Sequence, residues 1–345
     1  MKRFSLLIIA SVLFFLFLIT PDTVQKAAYE SVLFCSAVVI PSLFPGFVLS
    51  NLILSLSTEG SISRRKGFLS RIFQPPAGVR CWLIGLLAGF PAAADCTCRM
   101  YASGILTKDE GERLLAFTNN PGIVFVICAV GSSLFGSVRI GLFLWGILTV
   151  SALYVGILFS RKKLAHRHKT NPSPPKSKTA SLFPDAVTKA VSAVLNVCGF
   201  ILFFRVLIAA LTATVPLNSF RIFLSGLLEI TCGISALTDF TQASASIASF
   251  ILSWSGFSIH FQILNLTARS GLSLRYYFPG KIIQALISSI LTWGLYPIFF
   301  SQPKERDLIH LTVTILLIAG IPFFFRLGKE LLHGKRNLQT RKTAS

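Results

Sequence analysis

The sequence predicts an all-α polytopic membrane protein, with about eight spanning helices and two re-entrant hairpins arranged as an inverted repeat. Three observations support this prediction. The 345 residues are 53% hydrophobic and 13% charged, with a mean hydropathy of +0.69, whereas about a quarter of the residues in a soluble domain are charged. Long apolar segments alternate with basic ones. The breaks within the apolar segments follow the same order in both halves.

Charge and cysteine content narrow the functional class. The formal net charge is +20, but the basic residues cluster between apolar segments, as the positive-inside rule describes. We therefore expect no nucleic-acid partner, because a basic stripe with exposed aromatics on a soluble fold is missing. The seven cysteines are an odd number without a Cys-x-x-Cys pair. They are predicted to be small buried side chains, with no metal site.

The first two apolar segments cover residues 4–19 and 31–56. The first resembles a signal peptide in charge and length, but a small-x-small cleavage site is missing before Pro21. A retained first helix is therefore favoured, and cleavage stays the alternative. The second segment contains Pro41 and Pro45, so we expect a kinked helix.

Residues 81–103 are predicted to form a re-entrant hairpin with its tip at Gly89-Phe90-Pro91. Nine helical residues before this tip reach only about 13 Å, less than half of a bilayer. A capping-box pattern at Thr107 then starts the next helix.

A break at Thr118-Asn119-Asn120-Pro121-Gly122 interrupts the apolar segment 114–135, and 138–159 follows as a full span. Proline removes a backbone donor and glycine weakens a helix. An unwound backbone is tolerated in a membrane only where protein or water surrounds it. This break therefore predicts a transporter binding site, with a simple loop between two short helices as the alternative.

The second half repeats this order after a basic, proline-containing linker at 161–178. Its predicted elements are a segment at 186–211, a hairpin at 220–238 with its tip at Thr231-Cys232-Gly233, a segment at 245–266 broken at Ser253-Trp254-Ser255-Gly256, and spans at 276–300 and 308–325. The predicted divisions are a first helix (1–26), a first repeat (27–160), a cytoplasmic linker (161–182), an inverted second repeat (183–300), and a last helix with a basic tail (301–345).

The two hairpins share a short match, Leu83-Ile84-Gly85-Leu86-Leu87 against Leu224-Ser225-Gly226-Leu227-Leu228. The basic N-terminus, the 60–80 loop, the linker and the tail all belong on the cytoplasmic side. If residues 81–103 crossed the membrane fully, the basic linker would lie outside. A first hairpin that enters and leaves on the cytoplasmic side keeps the linker inside. The second hairpin then lies on the opposite face, as alternating-access carriers with inverted repeats require.

The chain resembles the YlbJ family of sporulation integral membrane proteins, whose halves are nucleoside-recognition ("Gate") domains. The matching stretches are listed here: Ser42-Leu43-Phe44-Pro45, Val48-Leu49-Ser50-Asn51, Gly89-Phe90-Pro91, the run from Glu112 through Gly122, Ala129-Val130-Gly131, Phe135-Gly136-Ser137, the run from Leu224 through Thr231, and the run from Gly256 through Gln262. In the family the first hairpin tip usually reads Gly-Tyr-Pro-x-Gly-Ala-Lys, whereas Asp95 stands here at the position of the lysine.

The resemblance implies a role in endospore formation, namely passage of dipicolinate from the mother cell across the outer forespore membrane. The family is also similar to concentrative nucleoside transporters, which have two hairpins and two unwound helices. The alternatives are a carrier of a nucleoside or related small molecule, and a sporulation membrane scaffold that transports nothing. An enzyme is not expected, because no nucleophile–base pair, metal cluster or phosphate loop occurs in the sequence.

The candidate substrate-binding residues lie at the breaks and near them. They are Asn119, Asn120, Gly122, Ser253, Ser255, Gly256, Glu229, His260, Gln262 and Arg205. The asparagines either bind substrate or cap freed backbone groups, and the half-helix starting near Gly122 favours carboxylates.

An acid at membrane depth is a functional hypothesis by default, so Glu229 is a candidate for binding a coupling proton or sodium ion. Its alternative is a structural partner of Arg205 or His260. Asp95 and Arg99 are one turn apart and are expected to pair. No cofactor is expected, and the coupling ion and a homo-oligomeric state stay open. The expected partners are a small anion and the lipid bilayer.

Overall fold

A computed structural model describes residues 2–56, 78–159, 182–215, 220–237 and 239–300. Helices form nearly all of this part of the chain, and no strand occurs in it. The helices are α1 (Lys2–Ile19), α2 (Pro21–Phe34), a π-helix (Cys35–Val39), α3 (Ile40–Leu56), α4 (Gly78–Leu87), α5 (Ala92–Ala102), α6 (Lys108–Thr118), a second π-helix (Phe125–Leu134), α7 (Val138–Phe159), α8 (Leu182–Thr214), α9 (Phe220–Leu228), α10 (Ile230–Ser235), α11 (Gln242–Trp254), α12 (Gly256–Ser270) and α13 (Tyr277–Phe300).

Five helices of the described residues are long and apolar enough to cross a membrane. They are Pro21–Ile53, Val138–Phe159, Leu182–Thr214, Gln242–Ser270 and Tyr277–Phe300. The apolar part of α1, Leu7–Ile19, is shorter. The predicted basic loop, linker, last helix at 308–325 and tail lie outside the described residues, so the count of about eight spans stays a prediction.

The second apolar segment forms a longer helix than the sequence predicted. It begins at Pro21 rather than at residue 31, because proline suits the first helical position, where its N–H is not needed. The first π-helix lies directly before Pro41, and Pro45 lies inside α3. A missing backbone donor and a π-bulge are both causes of helix bending, so the kink stays a prediction.

The first hairpin (α4–α5) turns between Leu87 and Ala92, at the predicted tip. Its arms pack closely through Gly85: a Cβ there would lie 2.1 Å from the Thr118 carbonyl oxygen and 3.1 Å from Ala93 Cβ. Small residues allow such close helix approach in membranes.

The second hairpin (α9–α10) turns at Glu229, so the predicted tip at Thr231-Cys232-Gly233 is wrong. Glu229 has extended backbone angles, and its carboxylate accepts the N–H of Cys232 as a helix cap. Residues 231–233 therefore form the first turn of α10. A side-chain cap replaces backbone partners at a helix start, so this break needs no proline or glycine.

The first broken helix (α6 and the second π-helix) runs antiparallel to the second broken helix (α11–α12). At one end, Asp109 near the start of α6 lies 2.7 Å from Arg275, just beyond α12. At the other end, the rings of Phe135 and Phe240 are 4.9 Å apart. Capping boxes at Thr107 and Thr241 start the two broken helices.

The full spans α7 and α13 are antiparallel in the same way. Phe159 lies 5.6 Å from Tyr276 at one end, and Arg139 donates to the Phe299 carbonyl at 2.6 Å at the other. Their outward faces are apolar, with exposed Leu142, Val150 and Trp293 among them. Apolar side chains on the outside of a helix bundle are what a lipid environment favours.

Candidate functional site

Three cavities follow one another through the molecule. The first vestibule, of about 440 Å³, lies beside the first hairpin and reaches Pro91 at its tip. The second vestibule, of about 630 Å³, lies beside the second hairpin and is lined by Ser225 and Cys232. The central cavity, of about 30 Å³, lies between the two hairpin tips and is lined by Phe90 and Glu229.

Helix α8 fixes the order of these cavities. Lys189 and Asn196 line the first vestibule, Ile201 lines the central cavity, and Arg205 and Thr212 line the second vestibule. At 1.5 Å per helical residue, the stretch from Lys189 to Thr212 spans about 35 Å, enough to cross a hydrocarbon core of about 30 Å.

The continuous helix formed by α2 and α3 passes the same cavities in the opposite direction. Glu30 lines the second vestibule, Val39 and Leu43 line the central cavity, and Asn51 lines the first vestibule. Two antiparallel helices therefore border one path from vestibule to vestibule.

The tip of the first hairpin packs directly on the first break. A Cβ on Gly89 would lie 2.3 Å from the backbone nitrogen of Gly122, and Gly89 has a φ of +78°. A Cβ on Gly122 would lie 2.8 Å from the backbone of Ala88. Glycine is required at both positions for close approach, and Gly89 needs it also for its left-handed conformation.

Asn119 and Asn120 are both buried at the end of α6. The Asn119 amide donates to the Leu115 carbonyl at 3.0 Å, and the Asn120 amide donates to the Phe117 carbonyl at 2.7 Å. These bonds correspond to one of the two predicted alternatives, the capping of freed carbonyl groups. The side-chain oxygen of each asparagine takes no part in this capping. Asn120 Oδ1 accepts a hydrogen bond from the Gln284 amide at 2.6 Å. Asn119 Oδ1 has no hydrogen-bond partner among the described residues.

Two residues of this cluster, Lys281 and Gln284 of α13, were not among the candidates predicted from the sequence. The Lys281 ammonium donates to the Asn119 carbonyl oxygen at 2.9 Å and to Gln284 Oε1 at 3.1 Å. Lys281 is fully buried. A lysine within the apolar segment 276–300 was the available signal, because ionisable residues in membrane segments are usually functional.

The second break is shorter than the first, because only Ser255 lies between α11 and α12. Ser255 ends α11 with a φ of +78°, a strained angle for a residue with a side chain. Its hydroxyl lies 3.3 Å from the Leu252 and Ser253 carbonyls. Ser253 donates to Ser288 of α13 at 2.7 Å. A Cβ on Gly256 would lie 3.1 Å from the Leu228 carbonyl oxygen, so this break packs on the second hairpin tip.

Glu229 reaches Arg205 through one hydroxyl group. Thr231 donates to the Glu229 carboxylate and accepts from Arg205 Nη1 at 3.5 Å. The guanidinium also lies 4.6 Å from the centre of the Phe34 ring. Since Glu229 and Thr231 line the central cavity and Arg205 lines the second vestibule, this chain connects the two spaces.

His260 is not a partner of Glu229. Its Nδ1 lies 2.9 Å from the Tyr277 hydroxyl, and its ring centre lies 4.4 Å from that of Trp254. Within the described residues, His260 Nε2, Ser258 Oγ and both amide atoms of Gln262 are buried without hydrogen-bond partners. Buried polar atoms normally have partners, so these groups are unusual. None of the three residues lines the three cavities described above.

The first vestibule is rich in basic groups. Arg99 pairs with Asp95 at 2.6 Å, as the sequence predicted. Lys189 and Arg269 line the same space. Three cations and one carboxylate thus border it, which favours entry of an anion.

The described residues hold no group of three His, Cys, Asp or Glu side chains suited to a metal ion. Four of the seven cysteines are buried, and all seven are free thiols. The predicted role as small buried side chains is confirmed for these four, which are Cys35, Cys81, Cys96 and Cys98.

The fold and this site define a multi-pass integral membrane protein with two broken helices beside a line of three cavities. The chain is similar to the sporulation integral membrane protein YlbJ of Bacillus subtilis (strain 168). The two are 28% identical over 86% of this chain and 84% of that protein. The resemblance to the YlbJ family is thereby confirmed over most of the chain. No family model and no solved structure matches it.

Proposed function

We propose that this protein is a sporulation membrane carrier that moves a small planar anion, dipicolinate, across the outer forespore membrane. The observation that carries the proposal is the line of three cavities, in which two vestibules are separated by a closed space between hairpin tips. The similarity to a sporulation membrane protein supplies the biological setting.

Alternating access is the mechanism that this geometry supports. The two broken helices are antiparallel, as are the two full spans, which supports an inverted duplication like that of many carriers. The central cavity of about 30 Å³ has room for about one water molecule. A planar diacid therefore requires one hairpin tip to withdraw, which opens the central cavity to one vestibule while the other tip stays closed.

Charge favours an anionic substrate. Arg99, Lys189 and Arg269 border the first vestibule with one carboxylate, Asp95. Arg205 and Arg221 border the second with one carboxylate, Glu30, so cations outnumber carboxylates in both. After the first break, the helix resumes beyond Gly122, which lines the central cavity. Free N–H groups at such a helix start, together with the helix dipole, favour a carboxylate.

Glu229 is the candidate site for a coupling proton or sodium ion, since this residue lines the central cavity. Its cap on α10 and its link to Arg205 through Thr231 also give it a structural role. Both roles are compatible, because an ion bound to the carboxylate would act directly on the hairpin tip.

A second candidate substrate is a nucleoside or a related molecule. Gln262 offers a buried donor and a buried acceptor, neither of which has a partner among the described residues. Dipicolinate as a dianion presents only acceptors, whereas a nucleobase presents both donors and acceptors.

The first test is the dipicolinate content of spores from a strain lacking the protein, with synthesis in the mother cell measured in parallel. We expect spores poor in dipicolinate despite normal synthesis. Flux into proteoliposomes that contain the purified protein then separates transport from scaffolding. Normal spore content would contradict the dipicolinate proposal, and binding screens with nucleosides would follow. A normal location in the membrane with no flux of either substrate would favour a scaffold.

A further inference from the structure

Lys281 is an ionisable side chain in the interior of the helical bundle. Its side chain is completely buried in α13. The ammonium donates to three oxygens, those of the Asn119 carbonyl at 2.9 Å, the Gln284 amide at 3.1 Å and the Asn120 amide at 3.5 Å. All three acceptors are neutral, and none of the ion pairs among the described residues includes Lys281.

The number of acceptors indicates the charged form of the amine. An ammonium group has three donors and no acceptor, whereas a neutral amine has two donors and a lone pair that would face an oxygen. Three surrounding oxygens therefore match the ammonium. A buried cation is tolerated only with such hydrogen bonds, because removing it from water is costly.

The ammonium lies at the C-terminal end of α6, where the helix dipole is negative. Two of the freed carbonyls there are bonded by the asparagine amides, and the Asn119 carbonyl by Lys281. In carriers with broken helices, unwound carbonyls at this kind of helix end coordinate the coupling cation. Here the ammonium of Lys281 occupies that position, and we call the three oxygens around it the oxygen cage.

One face of α13 connects this cage to the second break. Lys281 and Gln284 contact the first break, and Ser288 and Thr292 bond to Ser253 and Ser249 of α11. The spacing from Lys281 to Ser288 is two helical turns, about 10 Å. The second break has serine hydroxyls in place of an ammonium, so only the first break holds a cation within the described residues.

We propose that Lys281 is a positioning residue whose ammonium serves as the built-in cation of the first break, in place of a bound sodium ion. It holds the broken backbone and the Asn120 side chain in place without an external ion at this end of the helix. The site's role in transport depends on the carrier function proposed above. Its occupancy by a cation can be measured without any flux assay.

The test is the melting temperature of the purified protein in lipid nanodiscs, in sodium, ammonium and choline chloride at equal ionic strength. The wild-type value in each salt is the reference, because sodium bound at Glu229 would shift it independently of Lys281. Lys281→Ala leaves the oxygen cage empty, so its melting temperature in choline should fall by roughly 3–8 °C. Sodium or ammonium should restore part of this loss with saturation.

Lys281→Met is the matched control, because its side chain fills the same space with an apolar group. It should melt at a lower temperature than the wild type and respond to the three salts as the wild type does. Identical responses of the alanine and methionine variants would overturn the proposal. A rise with sodium that is no larger in the alanine variant than in the wild type would also overturn it, since sodium would then not bind in the emptied oxygen cage.

If neither variant folds, an exchange of side chains keeps the proposal testable. Lys281→Gln with Gln284→Lys moves the ammonium one turn along the same helix face, next to Asn120 Oδ1. This variant should reach the membrane at close to the wild-type yield, whereas Lys281→Gln with Gln284→Met should not. Equal yields of the two double variants would overturn the proposal.

Discussion

Glu112 and Arg275 form an ion pair between the two halves of the chain, with Arg275 Nε 2.6 Å from Glu112 Oε2. Only 1% of Glu112 is exposed, and its other oxygen accepts the backbone N–H of Ser273 at 3.0 Å. Asp109 pairs with the same guanidinium at 2.7 Å. These contacts fix the start of the first broken helix against the turn that follows the second.

Glu112→Gln should destabilise the fold. It removes the charge from a buried carboxylate that holds both Arg275 and the Ser273 backbone. We expect a loss of about 1–3 kcal/mol, since half of the arginine faces solvent. The measurement is unfolding of the purified protein in mixed micelles with increasing denaturing detergent.

Asp95→Asn is the control for this prediction. It breaks the pair with Arg99, which has the i,i+4 spacing and lies on a more exposed surface. Such pairs contribute about 0.5 kcal/mol or less. Equal losses for the two variants would argue against a special role for Glu112.

The sequence was most informative where the chemistry is local. The first break was placed correctly because proline and glycine follow Asn120, and the span Val138–Phe159 has its predicted bounds. The second hairpin tip was misplaced because Glu229 ends α9 by capping the next helix with its own carboxylate. A Thr-Cys-Gly sequence looks like a stronger helix breaker than a glutamate, but cysteine and threonine are tolerated in a helical first turn.

Lys281 shows what the sequence alone could not supply. Its partners Asn119 and Asn120 are separated from it by half of the chain, so their meeting depends on how α13 packs against α6. The sequence shows a lysine within an apolar segment, but it does not show which groups accept its hydrogen bonds. The cavities are likewise products of packing between α8 and the helices around it.

Asn119→Ala combined with Asn120→Ala should abolish transport while the protein stays in the membrane. The change removes both caps at the end of α6 and the acceptor for Gln284. Uptake of dipicolinate into proteoliposomes is the measurement, with the membrane yield checked by immunoblot. Ser36→Ala is the control, because this exposed hydroxyl bonds only to the carbonyl one turn earlier. Normal flux in the double variant would show that the two asparagines are not part of the substrate-binding site.

Gly85→Ala should disrupt the first hairpin. Its Cβ would lie 2.1 Å from the Thr118 carbonyl oxygen, and that backbone is fixed beside the first break. We expect a loss of about 2–4 kcal/mol, in the range of severe overpacking. The measurement is the melting temperature in nanodiscs.

Gly146→Ala in α7 is the matched glycine control, because nothing lies within 4 Å of its Cβ position. Alanine in a helix interior is favoured over glycine by about 0.5–1 kcal/mol, so this variant should melt at or above the wild-type temperature. A Gly85 variant as stable as the Gly146 variant would show that the hairpin can move away from the break.

Glu229→Gln should keep the fold and lose coupled transport. Glutamine has an oxygen that can still accept the Cys232 N–H, so the cap on α10 and the tip of the second hairpin are kept. It cannot exchange a proton or offer a full negative charge to sodium. We therefore expect facilitated equilibration of dipicolinate across proteoliposome membranes, but no accumulation driven by a proton or sodium gradient.

Thr231→Val is the comparison, since it removes the link to Arg205 and leaves the carboxylate in place. Accumulation that survives in Glu229→Gln and fails in Thr231→Val would assign coupling to the arginine link instead of the carboxylate.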